Sequence, residues 1–123
     1  MQLQRVSGEF SVCQYPLTAV LPPLKPFHFL SRTDEELSLV CPTDQVPAGA
    51  SQRTGQWRGF RIVGVLDFSL VGILAGIAEI LAQEKISIFA VSTYNTDYVF
   101  VRTAQYAAAE RALTERGYAF VDL

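Results

Sequence analysis

Apolar residues recur at Leu70, Ile73, Leu74, Ile77, Ile80 and Leu81. That i, i+3, i+4, i+7 spacing marks one face of a helix. The opposite strip is small rather than charged (Gly72, Ala75 and Gly76, with Glu79), so another element is expected to pack closely against it. Ser69 stands where an N-cap is expected. A second helical pattern runs from about Ala104 to Arg116, with Thr103 able to cap it and Gly117 placed for a left-handed C-terminal residue. Strand patterns cover residues 60–66, 86–94, 98–102 and 118–123, and Asn95-Thr96-Asp97 reads as the turn between the second and third of these.

The order over the second half is therefore β-α-β-β-α-β. It specifies an α+β fold of the ferredoxin-like kind, an antiparallel sheet with both helices on one face. The first half holds all six prolines. It shows strand patterns over residues 9–15, 27–32 and 36–41, and residues 42–56 read as loop with at most one helical turn. Pro22, Pro23 and Pro26 forbid a regular helix between the first two strands. The half reads β-turn-β-β-turn, the same order with its helices eroded, a weak internal duplication. Residues 86–94 are apolar on both sides, with Ile88 and Ala90 on one and Phe89 and Val91 on the other. A sheet with one wet face would alternate instead, so the helix-free face is expected to be covered, by the first half or by a second copy.

Composition narrows the functional classes. The chain has 123 residues, 50% hydrophobic and 18% charged, enough apolar content for a real core. The net charge is −2, and Arg53, Arg58 and Arg61 read as a solvated rim; nucleic acid is not an expected partner, because phosphate contact calls for a basic stripe. The apolar stretch over residues 70–82 is broken by Gly72, Gly76 and Glu79 and falls short of the roughly 18 residues that span a bilayer. The first residues lack the basic-then-apolar order of a signal peptide. No membrane partner and a cytoplasmic location are expected. Cys13 and Cys41 form no C-x-x-C and read as buried thiols, while a single disulfide between them stays open. Metal and cofactor sites are not expected, since no metal-ligand cluster and no glycine-rich phosphate loop occurs. His28, between Phe27 and Phe29, reads as structural, and Glu79 and Glu110 fall on different helices. Acid–base catalysis has no constellation to use, and the chain is read as no enzyme.

Two stretches carry a resemblance: Val65-Leu-Asp-Phe-Ser-Leu-Val-Gly-Ile-Leu74, and Ile86-Ser-Ile-Phe-Ala-Val-Ser-Thr-Tyr-Asn-Thr-Asp-Tyr-Val-Phe-Val101. They resemble the ACT family, and within it the CASTOR-type domains of arginine sensors and short tandem-ACT proteins. The resemblance covers about residues 57–118, and more weakly residues 1–56. It implies two tandem units, a degenerate ACT-like unit over 1–56 and an ACT domain over 57–123. It also implies a regulatory module without chemistry of its own, binding an amino acid at an interface between units. A homodimer is expected separately, from the two-sided apolar pattern of residues 86–101.

The site it implies joins the strand-to-helix loop, with Asp67, Phe68, Ser69, Leu70, Val71 and Gly72, to the strand end with Thr93, Tyr94, Asn95 and Asp97. The physics suits an amino acid. The helix N-terminus offers unpaired N–H groups to a carboxylate, Asp97 offers a partner for an ammonium, and Phe68 and Tyr94 offer apolar walls. The residues alone favour Asp97 serving only its own turn, and the resemblance is what sets the ligand contact beside that reading. In arginine-sensing members an acidic loop residue meets the guanidinium; Leu70 holds that position here, so a smaller or more apolar amino acid fits as readily. A ligand-independent interaction or dimerisation module is the alternative function.

Overall fold

The computed structural model describes residues 1–64 and 72–123. The strands are β1 (Gln2–Tyr15), β2 (Phe29–Arg32), β3 (Leu37–Pro42), β4 (Gln52–Ile62), β5 (Ile88–Ser92), β6 (Asp97–Arg102) and β7 (Ala119–Asp122). The helices are α1 (Ile73–Gln83) and α2 (Tyr106–Glu115). The chain divides into two units, one of Gly8–Trp57 and one of Met1–Ser7 with Arg58–Leu123. No helix among the described residues is long and apolar enough to cross a membrane.

In the larger unit the strands run β7-β1-β4-β6-β5. From β4 onward the order is β-α-β-β-α-β, as the hydrophobic pattern requires. The departure is at the other end of the sequence. β1 begins at Gln2 rather than near Glu9, and its first residues pair in parallel with β7, from Gln2↔Ala119 to Arg5↔Asp122. They stand between β7 and β4, with the Val63 N–H donating to the Gln2 carbonyl at 3.1 Å. Leu3 and Val6, both fully buried, are the apolar pair that signals this strand.

The core of this unit joins Phe60 and Ile62 of β4 and Val99 and Val101 of β6 to Ile77 and Leu81 of α1 and Ala109 and Leu113 of α2. Both helices therefore cover one face. Period-two alternation puts Gly59, Arg61, Tyr98 and Phe100 on the other. Phe100 is fully buried, stacked on Phe89 with centroids 4.8 Å apart. A Cβ on Gly59 would lie 2.6 Å from the Phe100 ring, so only glycine lets the ring lie there. The second apolar face expected from β5 and β6 is thus already covered at Phe100 without a second copy.

Helix ends differ from their sequence signals at the start and agree at the close. α1 begins at Ile73 with Gly72, at φ 83°, in the N-cap position. Ser69, expected to cap it, and Leu70, expected to open its apolar stripe, lie outside the described residues. α2 is preceded by a 3-10 turn over Thr103–Gln105, and Gln105, rather than Thr103, holds its N-cap position, without a side-chain cap bond. At the C-terminus Gly117 has φ 96°. The Tyr118 N–H reaches the Leu113 carbonyl and the Gly117 N–H the Thr114 carbonyl, both at 3.1 Å, a Schellman closure.

The smaller unit has the order β2-β3-β1-β4. β1 and β3 are antiparallel from Phe10↔Pro42 to Tyr15↔Leu37, and β2 and β3 from Phe29↔Val40 to Arg32↔Leu37. β4 corrects the sequence reading: it runs over Gln52–Ile62 instead of 60–66, and much of the expected loop is strand. Gln52, Arg53 and Thr54 are exposed, so side-chain periodicity conceals a strand that backbone pairing builds; the Ser51 N–H to Gln14 carbonyl bond of 2.8 Å marks where that pairing begins.

Cys13, Tyr15, Leu37, Leu39 and Cys41 form this unit's core, with Leu21 and Val46 against it. The β1–β3 register pairs Cys13 with Leu39 and Ser11 with Cys41, so the cysteines are diagonal neighbours on one face. Both thiols are free and buried. Burial pushes the Cys41 thiol from an ordinary 9.0 up to about 11, and raises Cys13 as well.

Two stability measurements check this packing. Ile77→Ala should cost about 2–5 kcal/mol in denaturant melts, because it opens a cavity where α1 meets the sheet; a loss below about 1 kcal/mol would mean that Ile77 is not the contact the core depends on. The second concerns the thiols. Unfolded cysteines ionise near 9.0 while folded Cys41 keeps its proton to about 11, so in that window the unfolded state binds fewer protons. Stability is full below about pH 9 and falls above it, by roughly 1 kcal/mol per pH unit for each such group. Cys41→Ala should flatten the decline; parallel declines in variant and wild type would assign it to other groups.

Candidate functional site

The β5–β6 hairpin is closed by two threonines. The Thr93 N–H and Oγ1 both donate to the Thr96 carbonyl at 2.9 Å, and the Thr96 N–H donates back to Thr93 Oγ1 at 3.3 Å. Tyr94 and Asn95 are the tip. A hydroxyl thus does the turn-closing that the sequence reading gave to Asp97. Asp97 is instead the first residue of β6, paired opposite Ser92. Thr96, only 7% exposed, sends its Oγ1 to the Ile62 carbonyl at 2.8 Å, which ties the hairpin to the end of β4.

Arg61 lies on the helix-free face beside this tie. Its Nε donates to Gln4 Oε1 at 2.9 Å and its Nη1 to the Tyr98 hydroxyl at 3.0 Å, so β1 and β6 hold the guanidinium from two sides. Gln4, Arg61, Ile62, Gly64, Thr93, Asn95, Thr96 and Tyr98 line a cavity of about 260 Å³. Gly64, at φ 100°, turns the chain out of β4, and Gly72, at φ 83°, turns it into α1. Residues that need a positive φ at both ends of a connection are best supplied by glycine. The cavity offers a fixed cation, hydroxyls and an amide, a set that suits a small ligand bearing a carboxylate.

Of the residues the sequence singled out, Thr93 and Asn95 reach this cavity. Tyr94 does not wall it, being 79% exposed. By alternation along β6, Asp97 shares the face of Val99 and Val101, opposite Tyr98, and it is absent from the lining. Gly72 is exposed at the start of α1. Asp67, Phe68, Ser69, Leu70 and Val71 lie outside the described residues. Gln4, Arg61, Thr96 and Tyr98 were not foreseen as site residues. The signal for Arg61 was its place between Phe60 and Ile62, which sends it to the face opposite the core.

Other chemistry-bearing residues are engaged elsewhere. His28 accepts from the Lys25 N–H at 3.3 Å through Nδ1 and meets Gln45 Oε1 at 2.8 Å through Nε2. Among the described residues no three His, Cys, Asp or Glu side chains gather as a metal site would require.

The family model for the ACT domain matches residues 52–115. No curated protein sequence matches the chain. Among solved structures, a protein from Agobacterium tumefaciens superposes with a TM-score of 0.87 at 26% identity, covering 99% of this chain and 92% of that one. A Vibrio cholerae protein of unknown function, described as a possible transport protein, gives 0.67 at 23% identity over 93% and 88%. The aspartate kinase of Clostridium acetobutylicum, described as an allosteric enzyme, gives 0.63 at 14% identity over 92% of this chain and 33% of the kinase. At such identities the last two share the fold alone.

The hairpin tie is the feature most open to test. Thr96→Val keeps the side-chain volume but leaves the Ile62 carbonyl without its donor, and should lower stability by about 1–3 kcal/mol in denaturant melts. An unchanged midpoint would show that the tie does not hold the hairpin.

Proposed function

Because the chain belongs to the ACT domain family, with the family model matching residues 52–115, we propose that it is a non-enzymatic, cytoplasmic regulatory module that binds an amino acid. The allosteric aspartate kinase among its structural neighbours supports the regulatory part of this reading. The tandem arrangement expected from the sequence, with a degenerate first unit and a CASTOR-like second, belongs to the same proposal, as does a homodimer.

The observation that carries the reading is the cavity at the end of β4, where Arg61 stands beside Thr93 and Asn95. The ligand carboxylate goes to the Arg61 guanidinium, a planar donor fork already positioned by Gln4 and Tyr98. Its ammonium goes to the side-chain carbonyl of Asn95 or of Gln4. Asp67, Phe68, Ser69, Leu70 and Val71, which the sequence pattern assigned to the site, follow Gly64 in the chain and lie outside the described residues. Asp97, on the other face, is assigned no contact with the ligand, in contrast to the sequence expectation. One observation favours the alternative of a ligand-independent interaction module: β5 is the last strand in the order of its unit, and its outer edge offers backbone groups to another chain.

A thermal-shift screen of the chain against the twenty amino acids, followed by calorimetry on the responders, tests the proposal. Arg61→Gln should weaken binding roughly ten- to a hundred-fold, the loss of one charge-assisted contact, while Asp97→Asn should not change it. Unchanged affinity in Arg61→Gln would remove the site from this cavity. If no amino acid binds at millimolar concentration, the interaction module takes its place.

A further inference from the structure

The opposite face of the same unit holds a second cleft, and three of its lining residues are arginines. β1, β4 and α2 surround an open space of about 520 Å³ bordered by Arg5, Arg58, Tyr106, Glu110, Arg111 and Glu115. Arg5 and Arg58 arrive there by alternation, since Leu3 on β1 and Phe60 on β4 face the helices. The volume falls within the range of small-ligand sites.

The arginines are not equivalent. Arg5 pairs with Glu110, and with Asp122 at 2.9 Å, and its charge is spent. Arg58 lies with its guanidinium carbon 4.3 Å from the centroid of the Tyr106 ring. A cation–π contact fixes a guanidinium without using any of its N–H donors. Neither Arg58 nor Arg111 makes an ion pair among the described residues. Glu110 and Asp122 are both committed to Arg5, which leaves Glu115 as the lining carboxylate beside these two cations. The lining itself holds three arginines against two glutamates, an excess of one cation in a chain of net charge −2.

We propose that this cleft is a binding site for a small dianion or polyanion bearing phosphate or carboxylate groups, with Arg58 and Arg111 as its two anchoring side chains and the Tyr106 ring as the support that holds Arg58 in place. The ordering of Arg58 is supplied by the fold, so the ligand need not order that side chain itself. The site is separate from the Arg61 cavity and requires no amino acid to be bound there.

Calorimetry at low salt on the whole chain, with inorganic pyrophosphate in one series and succinate in another, decides the matter. Saturable binding of either probe at one per chain is expected, weakening as salt is added. Binding of pyrophosphate alone assigns the ligand to phosphate compounds, and binding of succinate alone to carboxylates. Arg58→Gln and Arg111→Gln should each weaken it about tenfold. Arg111 is exposed, so its variant stays informative even if Arg58→Gln fails to fold. Arg116→Gln, which removes an equal charge from a residue donating to Gln83, should leave affinity unchanged. The proposal fails if neither probe binds at millimolar concentration, if Arg111→Gln keeps wild-type affinity, or if Arg116→Gln weakens binding as much. None of these variants touches Arg61, so such a failure leaves the amino-acid reading standing.

Discussion

The larger unit depends on the first residues of β1 being held between two strands. The Gln2 carbonyl receives the Val63 N–H on one side, and on the other the Ala119 N–H reaches the Met1 carbonyl, both at 3.1 Å. Leu3 sits in the core between them, fully buried. β7 has its only strand pairing among the described residues with β1, so the strand after α2 is anchored through this segment. Arg5 adds ion pairs to Glu110 of α2 and Asp122 of β7. Their side chains are partly or largely exposed, so these pairs set register more than they add stability. Leu3 and the backbone ladder carry the energy.

The same alternation separates two chemistries on one sheet. On β4, Phe60 and Ile62 face the helices with Arg58, and Gly59 and Arg61 face away. A slip of one residue would exchange every one of these. Gly59 guards against it, since the Phe100 ring leaves no space for a side chain there. The Arg61 cavity and the Arg58 cleft therefore exist as distinct places because register is fixed by packing at a position with no side chain.

What the sequence made legible was whatever repeats with a strong period. The apolar stripe through Ile73, Ile77 and Leu81 led to α1, and Gly117 marked the end of α2 as a left-handed glycine. The first half of β4 was not legible, because Gln52, Arg53 and Thr54 are polar and exposed and leave no apolar period to read. At the candidate cavity, Thr93 and Asn95 had been singled out through the hairpin, while Asp97, expected either to meet an ammonium or to serve its own turn, stands in β6 beyond a turn that Thr93 closes. Arg61 escaped notice because a cation beside a strand start reads as solvent-facing until the partners on neighbouring strands, Gln4 and Tyr98, are known.

Gln2 lies opposite Ala119, far away along the chain. Contacts of such high sequence separation form late and slow the search for the native state. On the ribosome the segment with Leu3 and Val6 emerges well before both its partners, and its β7-facing edge must wait until the residues of β7 have been made, long after those of β4. Throughout that interval a strand with an open edge is available to any neighbour, including another nascent copy. The larger unit is in this sense assembled from two distant stretches of its sequence, and the timing of its synthesis, rather than its final stability, is where it is most exposed to error.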